Sequence, residues 1–307
     1  MKTIVLLLAC TASSLFAQEK FDISLDWKSG RQYVQNLQLQ QVVGVPRHGE
    51  AKAKTSLQLG FKLDASKSLN VQFDAMKIFV DLPLPAKNEE FDSAKPLEGN
   101  QYIGSFFRSM AEKEPKMLLD SRGKVREVRG LEQLTSQNAL VGRFFGKDQI
   151  KSLLQQGWLV EFQKASVSKG DSWPFKMQFP SPVGQLLIKG NYTMGGRTEK
   201  SGSPLVEILV NGLVEGDFSK LSAEHAKETD PELLKIQATM LLMGIKVKEG
   251  TLSGSIFYNP TSRMLHSSET ETMIRLSVAK YPENGKPTEI PIQQTMALTL
   301  TERAADK

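Results

Sequence analysis

Residues 251–278 read TLSGSIFYNPTSRMLHSSETETMIRLSV, and the stretch spells a strand, a turn and a long returning strand. Asn259-Pro260 is a turn signal, and Thr261, Ser262 and Arg263 complete the connection. On the returning strand Thr270, Thr272, Ile274, Leu276 and Val278 share one parity, while Glu269, Glu271, Met273, Arg275 and Ser277 share the other. Successive side chains on a strand point to opposite faces, so a mostly apolar parity against a mostly polar one predicts a half-buried antiparallel strand.

Working outward, the same theme repeats. Tyr33, Leu37, Leu39 and Val43 oppose Asn36, Gln38 and Gln40, and Leu57, Leu59, Phe61 and Leu63 oppose Ser56, Gln58, Gly60 and Lys62. Val71, Phe73 and Ala75 then give way to Met76, Ile78 and Val80 on the other parity, a slip that predicts a bulge near Ala75 or burial on both faces. With turns at 45–49 and 64–68, these three strands form a meander. Residues 81–100 carry prolines and carboxylates that preclude a central strand and read as a surface crossover.

Ile103, Phe106, Phe107 and Met110 fall at helical spacing, and short helices are also expected over 131–145 and 148–156. Met117–Leu119 and Val125–Val128 make a hairpin. Strands resume at Trp158, with a turn at Lys169-Gly170-Asp171, then a pair over 183–192 and 204–214 joined by a polar loop from Gly195 to Ser203. Val206, Ile208 and Val210 share a parity that their neighbours follow poorly, so burial on both faces is an alternative there. Asp230-Pro231-Glu232 is a helix start, with Leu233, Ile236, Met240 and Met243 on one side and Gly244 at the end. The last strand is expected at Thr295–Thr301, followed by a frayed tail over 302–307.

The fold class is therefore α+β: a large curved antiparallel sheet covered by short helices. It is built either as one half-barrel or as two sheet lobes divided near 146–157. Residues 18–307 form that single domain. Residues 1–17 have the layout of a secretory signal peptide, with Lys2, an apolar run from Ile4 to Leu8, and a small-residue end at Ala17. Export to the periplasm or beyond is the expectation. In the alternative, Leu7-Leu8-Ala9-Cys10 acts as a lipobox and Cys10 becomes a lipidated N-terminus, but few apolar residues precede the cysteine. Cys10 is the only cysteine, so a chain cleaved after Ala17 uses no disulfides and relies on its core.

Removing residues 1–17 takes away one positive charge and leaves 38 Lys+Arg against 34 Asp+Glu, or +4. No block of five like charges follows, so a nucleic-acid tract is not expected. The three histidines, His48, His225 and His266, are far apart and show no metal-ligand spacing. There is no GxSxG elbow. No metal and no cofactor is expected. Glu269 and Glu271 share a strand face about 7 Å apart, a separation that would suit an inverting glycosidase, although alternating glutamates also describe a solvated face. Gly195-Gly196-Arg197 lies between strands rather than before a helix, so it reads as a hairpin and not as a phosphate loop. Trp173 follows the tight Gly170-Asp171 turn, where it either plugs the end of the core or presents its ring to a ligand. With Trp173, the helix residues Phe106, Phe107, Met240 and Met243 are the candidate ligand-binding set, because an apolar groove opens under any helix seated loosely on a sheet.

Leu119-Asp120 with Gly123, Val125, Val128 and Gly130, the Gly170-Asp171-Ser172-Trp173 turn, and Gly254 with Phe257 before a polar turn resemble a family of exported bacterial proteins of unknown function. The likeness spans the chain beyond the signal peptide and supplies no site residues. The strand-and-lid layout is similar to the lipoprotein-carrier folds of the cell envelope. The expected function is that of an exported, non-catalytic envelope protein binding an apolar or polymeric ligand, with a lipid or an envelope protein as partner. A glycan hydrolase using strand carboxylates and a structural partner-binding protein are the alternatives.

Overall fold

A computed structural model describes residues 19–46, 48–64, 68–83, 88–95, 108, 112, 115–121, 125–131, 166–181, 184–200, 202–216, 231–283 and 286–303. Two short strands, β1 (Lys20–Asp22) and β8 (Ser166–Ser168), pair with each other. Twelve others make one antiparallel sheet. In chain order they are β2 (Gln32–Val45), β3 (Gly49–Leu63), β4 (Ser68–Asp81), β5 (Glu89–Asp92), β6 (Lys116–Leu119) and β7 (Val125–Arg129), then β9 (Ser172–Ser181), β10 (Gly184–Lys200), β11 (Ser203–Glu215), β12 (Ile245–Asn259), β13 (Met264–Glu283) and β14 (Lys286–Arg303). Their spatial order is β7-β6-β4-β3-β2-β14-β13-β12-β11-β10-β9, with β5 beside β4. The sheet is open: β7 and β9 end it and do not pair with each other. The meander β2–β4 meets the second half of the chain where the last strand, β14, inserts between β2 and β13.

The stretch quoted first becomes the β12–β13 hairpin. Asn259 Oδ1 accepts from the Thr261 and Ser262 amides at 2.9 and 3.0 Å, and Arg263 takes the left-handed conformation (φ 56°) that closes the turn. The parity slip in β4 is a bulge: Phe73 pairs with Leu59 and Ala75 with Gln58, leaving Asp74 as the extra residue. Burial of the Asp74 carboxyl raises its pKa. Further bulges fall at Gly195, Lys248 and His266. Each sharpens local twist, which bends a sheet this wide.

Several expectations are corrected. Residues 81–100 contribute β5, an edge strand whose Phe91 is buried. The loop placed at 195–203 is strand as far as Lys200, because a bulge absorbs Gly195 without breaking the ladder. The last strand starts at Lys286, not Thr295, in spite of Pro291. Proline is tolerated there because pairing with β2 ends at Ile292 opposite Val43, and Gly44 leaves room: a Cβ on it would lie 2.7 Å from Pro291 Cγ. Glu302, expected to be frayed, belongs to β14 and pairs with Arg31 at 2.8 Å. Burial on both faces of β11 is confined to its start: Leu205 is buried as well as Val206, Ile208 and Val210, while Leu209 and Leu213 on the same parity as Leu205 are exposed, Leu213 at 61%.

Among the described residues helix is scarce, although Arg108 and Glu112 are helical near the short helix expected around Ile103–Met110. Among the described residues one is assigned as an element, α1 (Pro231–Met243), which opens at the Asp230-Pro231 signal and stops at Gly244. Met243 packs against buried Ile245 and Val278. The helices expected over 131–145 and 148–156, and the lobe boundary near 146–157, lie outside the described residues. What stands is a mostly antiparallel β-sheet protein.

One face of the sheet is the core. Cross-strand partners share a face, so a single buried row runs Leu57, Leu37, Leu298, Ser268, Ile256, Ile208 and Met194 from β3 to β10. At the β9 end Phe175 lies opposite Gly190, and a Cβ on that glycine would meet Phe175 Cζ at 2.7 Å and Gly212 Cα at 2.6 Å. The ring occupies the space that the missing side chain leaves. Gly190→Ala is therefore expected to cost about 1–3 kcal/mol through overpacking, read as a lower midpoint in urea unfolding. Ser253→Ala on the outer face should leave the midpoint unchanged.

Residues 19–27 form a strap across one end of the core face. Trp27 packs edge-on to Tyr33 at 5.0 Å and lies 6.3 Å from Phe61. Tyr258 Oη donates to the Ser24 carbonyl at 2.8 Å, and the Asp26 amide donates to the Arg263 carbonyl at 2.9 Å. Arg263 also bonds Ser24 Oγ, and Arg197 pairs with Glu19. Burial raises the Tyr258 phenol above its ordinary value, because the anion would lose its water. The folded pKa is thus above the unfolded one of about 10. The stabilisation it represents is complete below that pH and is lost as pH rises through the folded value. Tyr258→Phe is expected to cost about 1 kcal/mol near neutral pH. It should also reduce the loss of stability seen above about pH 10, measured by chemical unfolding across an alkaline pH series.

Candidate ligand-binding face

The core face is not sealed evenly. At the strap end Tyr33, Leu59, Phe61, Leu69, Val71, Ile208 and Tyr258 are fully buried. Toward the other end of the same strands, Val43, Ala51, Ile292, Ile274, Leu276 and Val247 point to the same face and are only half-buried. Ile292 is the centre of this patch, paired with Val43 on one side and Ile274 on the other. Polar side chains run between the two ends. Thr270 is buried, and Gln41, Gln294 and Thr272, paired in one row, are half-buried, while buried Gln35 lies within the strap end opposite Leu59. The central strands β2, β14 and β13 thus carry a polar strip between more apolar flanks.

Trp173 opens β9, the edge strand, and is 4% exposed. It pairs with Tyr192, with ring centroids 5.8 Å apart, and Phe175 lies 4.5 Å from the same tyrosine ring. The plug reading of Trp173 therefore describes its packing. Its indole Nε1, however, is buried without a hydrogen-bond partner. Of the other candidate residues, Met243 sits half-buried beside Ile245 and Val278. Met240 lies on α1, but its side chain is outside the described set, as are Phe106, Phe107 and Cys10. Neither the orphan indole nor buried Gln35 was signalled by the sequence: periodicity marks a tryptophan as core but not whether its N–H finds an acceptor.

The outer face is wet. A furrow of about 470 Å³ crosses it between Gln38, Gln40, Ser253, Glu269, Glu271 and Thr295. Lys200 pairs with Glu269 and stands 4.3 Å from the Phe257 ring centre, and Gln293 Nε2 donates to Glu271 at 2.6 Å. Each glutamate is occupied by a neighbour on an exposed ladder, the arrangement of a solvated strand face. Cross-strand pairs such as Lys189–Glu215 at 2.7 Å and Arg275–Glu249 at 3.1 Å continue the pattern. A hydrogen bond from Lys248 holds the Glu289 carboxyl below its ordinary pKa. Gly195-Gly196 carries a bulge within the β10–β11 ladder. Among the described residues no three His, Cys, Asp or Glu side chains group as metal ligands, and no helix is long and apolar enough to cross a membrane.

No curated protein matches the chain. Among solved structures, one described as lipid-protein interactions in lipovitellin is 15% identical with a TM-score of 0.49; the match covers 92% of this chain and 26% of the lipovitellin chain, so this chain spans about a quarter of that one. The OpdQ protein of Pseudomonas aeruginosa is 7% identical with a TM-score of 0.20, over 91% of this chain and 100% of that one. Its OccK11 (OpdR) is 7% identical with a TM-score of 0.17, over 89% and 96%. A family model matches residues 64–259, which is more than half of the chain and takes in the hairpin of β6 and β7, the Trp173 turn and the whole of β12. The chain belongs to that family, DUF6263, a family of unknown function.

Proposed function

We propose that this is an exported, non-catalytic cell-envelope protein that holds an apolar ligand against the half-buried end of its core face. One observation carries the reading. Side chains at the end that the strap crosses are fully buried, while Val43, Ile292, Ile274, Leu276 and Val247 at the other end keep partial access on an apolar surface. An apolar surface left partly open in an otherwise sealed core is where an apolar guest gains most from leaving water. Met243 of α1 packs beside Val247 and Leu276 at that end, and methionine adapts to irregular guests because its chain is unbranched and polarisable. The signal-peptide layout of residues 1–17 supports export.

The test is uptake of a solvatochromic apolar dye such as Nile red by the purified protein, followed by displacement with a long-chain lipid. Saturable uptake and displacement are expected. Ile292→Asn places an amide at the centre of the patch and should weaken uptake by about tenfold, the equivalent of about 1.4 kcal/mol. Lys176→Ala on the outer face of β9 should not change it. A folded protein that takes up no dye and carries no lipid contradicts the proposal.

A further inference from the structure

We propose that the row Gln41, Gln294 and Thr272 is the head-group site of this ligand, and that the ligand is an acyl lipid with an uncharged hydroxyl head, such as a monoacylglycerol. The inference rests on the apolar-ligand reading and names the chemical class that the half-buried end takes. The row lies directly beside the patch. Gln41 pairs with Gln294 and Gln294 with Thr272; two residues along the same strands, Val43 pairs with Ile292 and Ile292 with Ile274. Residues two apart on a strand share a face and lie about 7 Å apart. The row after that, Ile290, Leu276 and Val247, is again half-buried and apolar. Beyond it Ile245 and Val278 are buried, with Met243 packed against them. From the polar row to the last half-buried row is about 14 Å of strand. The face thus offers a polar row, an apolar floor and a closed end, in that order.

The polar row is left open. Among the described residues neither amide, nor the Thr272 hydroxyl, has a hydrogen-bond partner, although Gln41 and Gln294 stand opposite each other on neighbouring strands. A cross-strand amide pair on the outer face does close: Gln58 Nε2 donates to Asn36 Oδ1 at 2.9 Å. A half-buried amide without a partner loses hydration with no bond to offset it. A hydroxyl head both donates and accepts, so it can satisfy amide N–H, amide oxygen and the threonine together. These rows carry no charged residue. The ion pairs of the central strands, Arg275–Glu249 and Lys200–Glu269, stand on the opposite face. A carboxylate or phosphate head would give up its water here with no cation to replace it.

The experiment compares monolauroylglycerol, laurate and tetradecane, each delivered from cyclodextrin to displace Nile red from wild type and from Gln294→Met, at a pH where laurate is ionised. Methionine keeps the length of the glutamine side chain and removes its amide. The glyceride-to-alkane affinity ratio is expected to be about five- to tenfold higher in wild type than in the variant, with tetradecane bound about equally by both. Wild type should hold laurate at least about tenfold more weakly than the glyceride. Equal ratios in the two proteins, or laurate bound as tightly as the glyceride, overturn the head-group site while the apolar-ligand reading survives. If none of the three compounds displaces the dye, that reading falls and the head-group site falls with it. Should Gln294→Met fail to fold, Gln41→Met takes its place with the same expected ratio, and the laurate comparison in wild type needs neither variant.

Discussion

One face of the sheet must be kept from water, and the strap of residues 19–27 packs across it at one end. Its contacts are of two kinds. Trp27 against Tyr33 and Phe61 removes apolar surface, while Tyr258, Arg263 and the Ser24 and Asp26 backbone fix where the chain crosses. A strand ladder satisfies its own backbone but cannot bury its own face. The burial has to come from other segments, and among the described residues the strap contributes to it across the ends of β2, β3 and β12. The burial of Leu59, Val71 and Ile208 belongs to the end it covers.

The unevenness of that cover gives the molecule its functional interest. The strap seals the end where large side chains meet, and the small and β-branched residues of the far end keep partial access. The central polar row of Gln41, Gln294 and Thr272, with Thr270 beside it, separates the flanks. A sheet made only to support itself would place apolar residues along these central strands. Amides and hydroxyls there fit a face that meets a guest carrying a polar group.

Much of the sheet was legible in the sequence because period-2 alternation is a local signal. The parity of Thr270 to Val278, the Asn259-Pro260 turn, the slip near Ala75 and the helix start at Pro231 all have the local structure that their residues predict. The misses have one cause. Pro291 and Gly195 are breakers by local rule, and both are tolerated because of a neighbouring strand: Gly44 makes room for the proline, and the β11 ladder continues past the bulge. Phe91 became strand because β4 offered a free edge. The candidate site was legible only in part. Trp173 stood out by its turn, but the strap, the buried Gln35 and the unpaired indole depend on contacts between residues far apart in the chain.

The central claim is that the core face receives an apolar guest, and native mass spectrometry of the protein isolated from its own host tests it most directly. The account predicts a folded chain lacking the first 17 residues with a lipid-sized mass bound, lost on denaturation. A bare polypeptide mass under the same gentle conditions, with the protein folded and no bound molecule recovered on extraction, would contradict it.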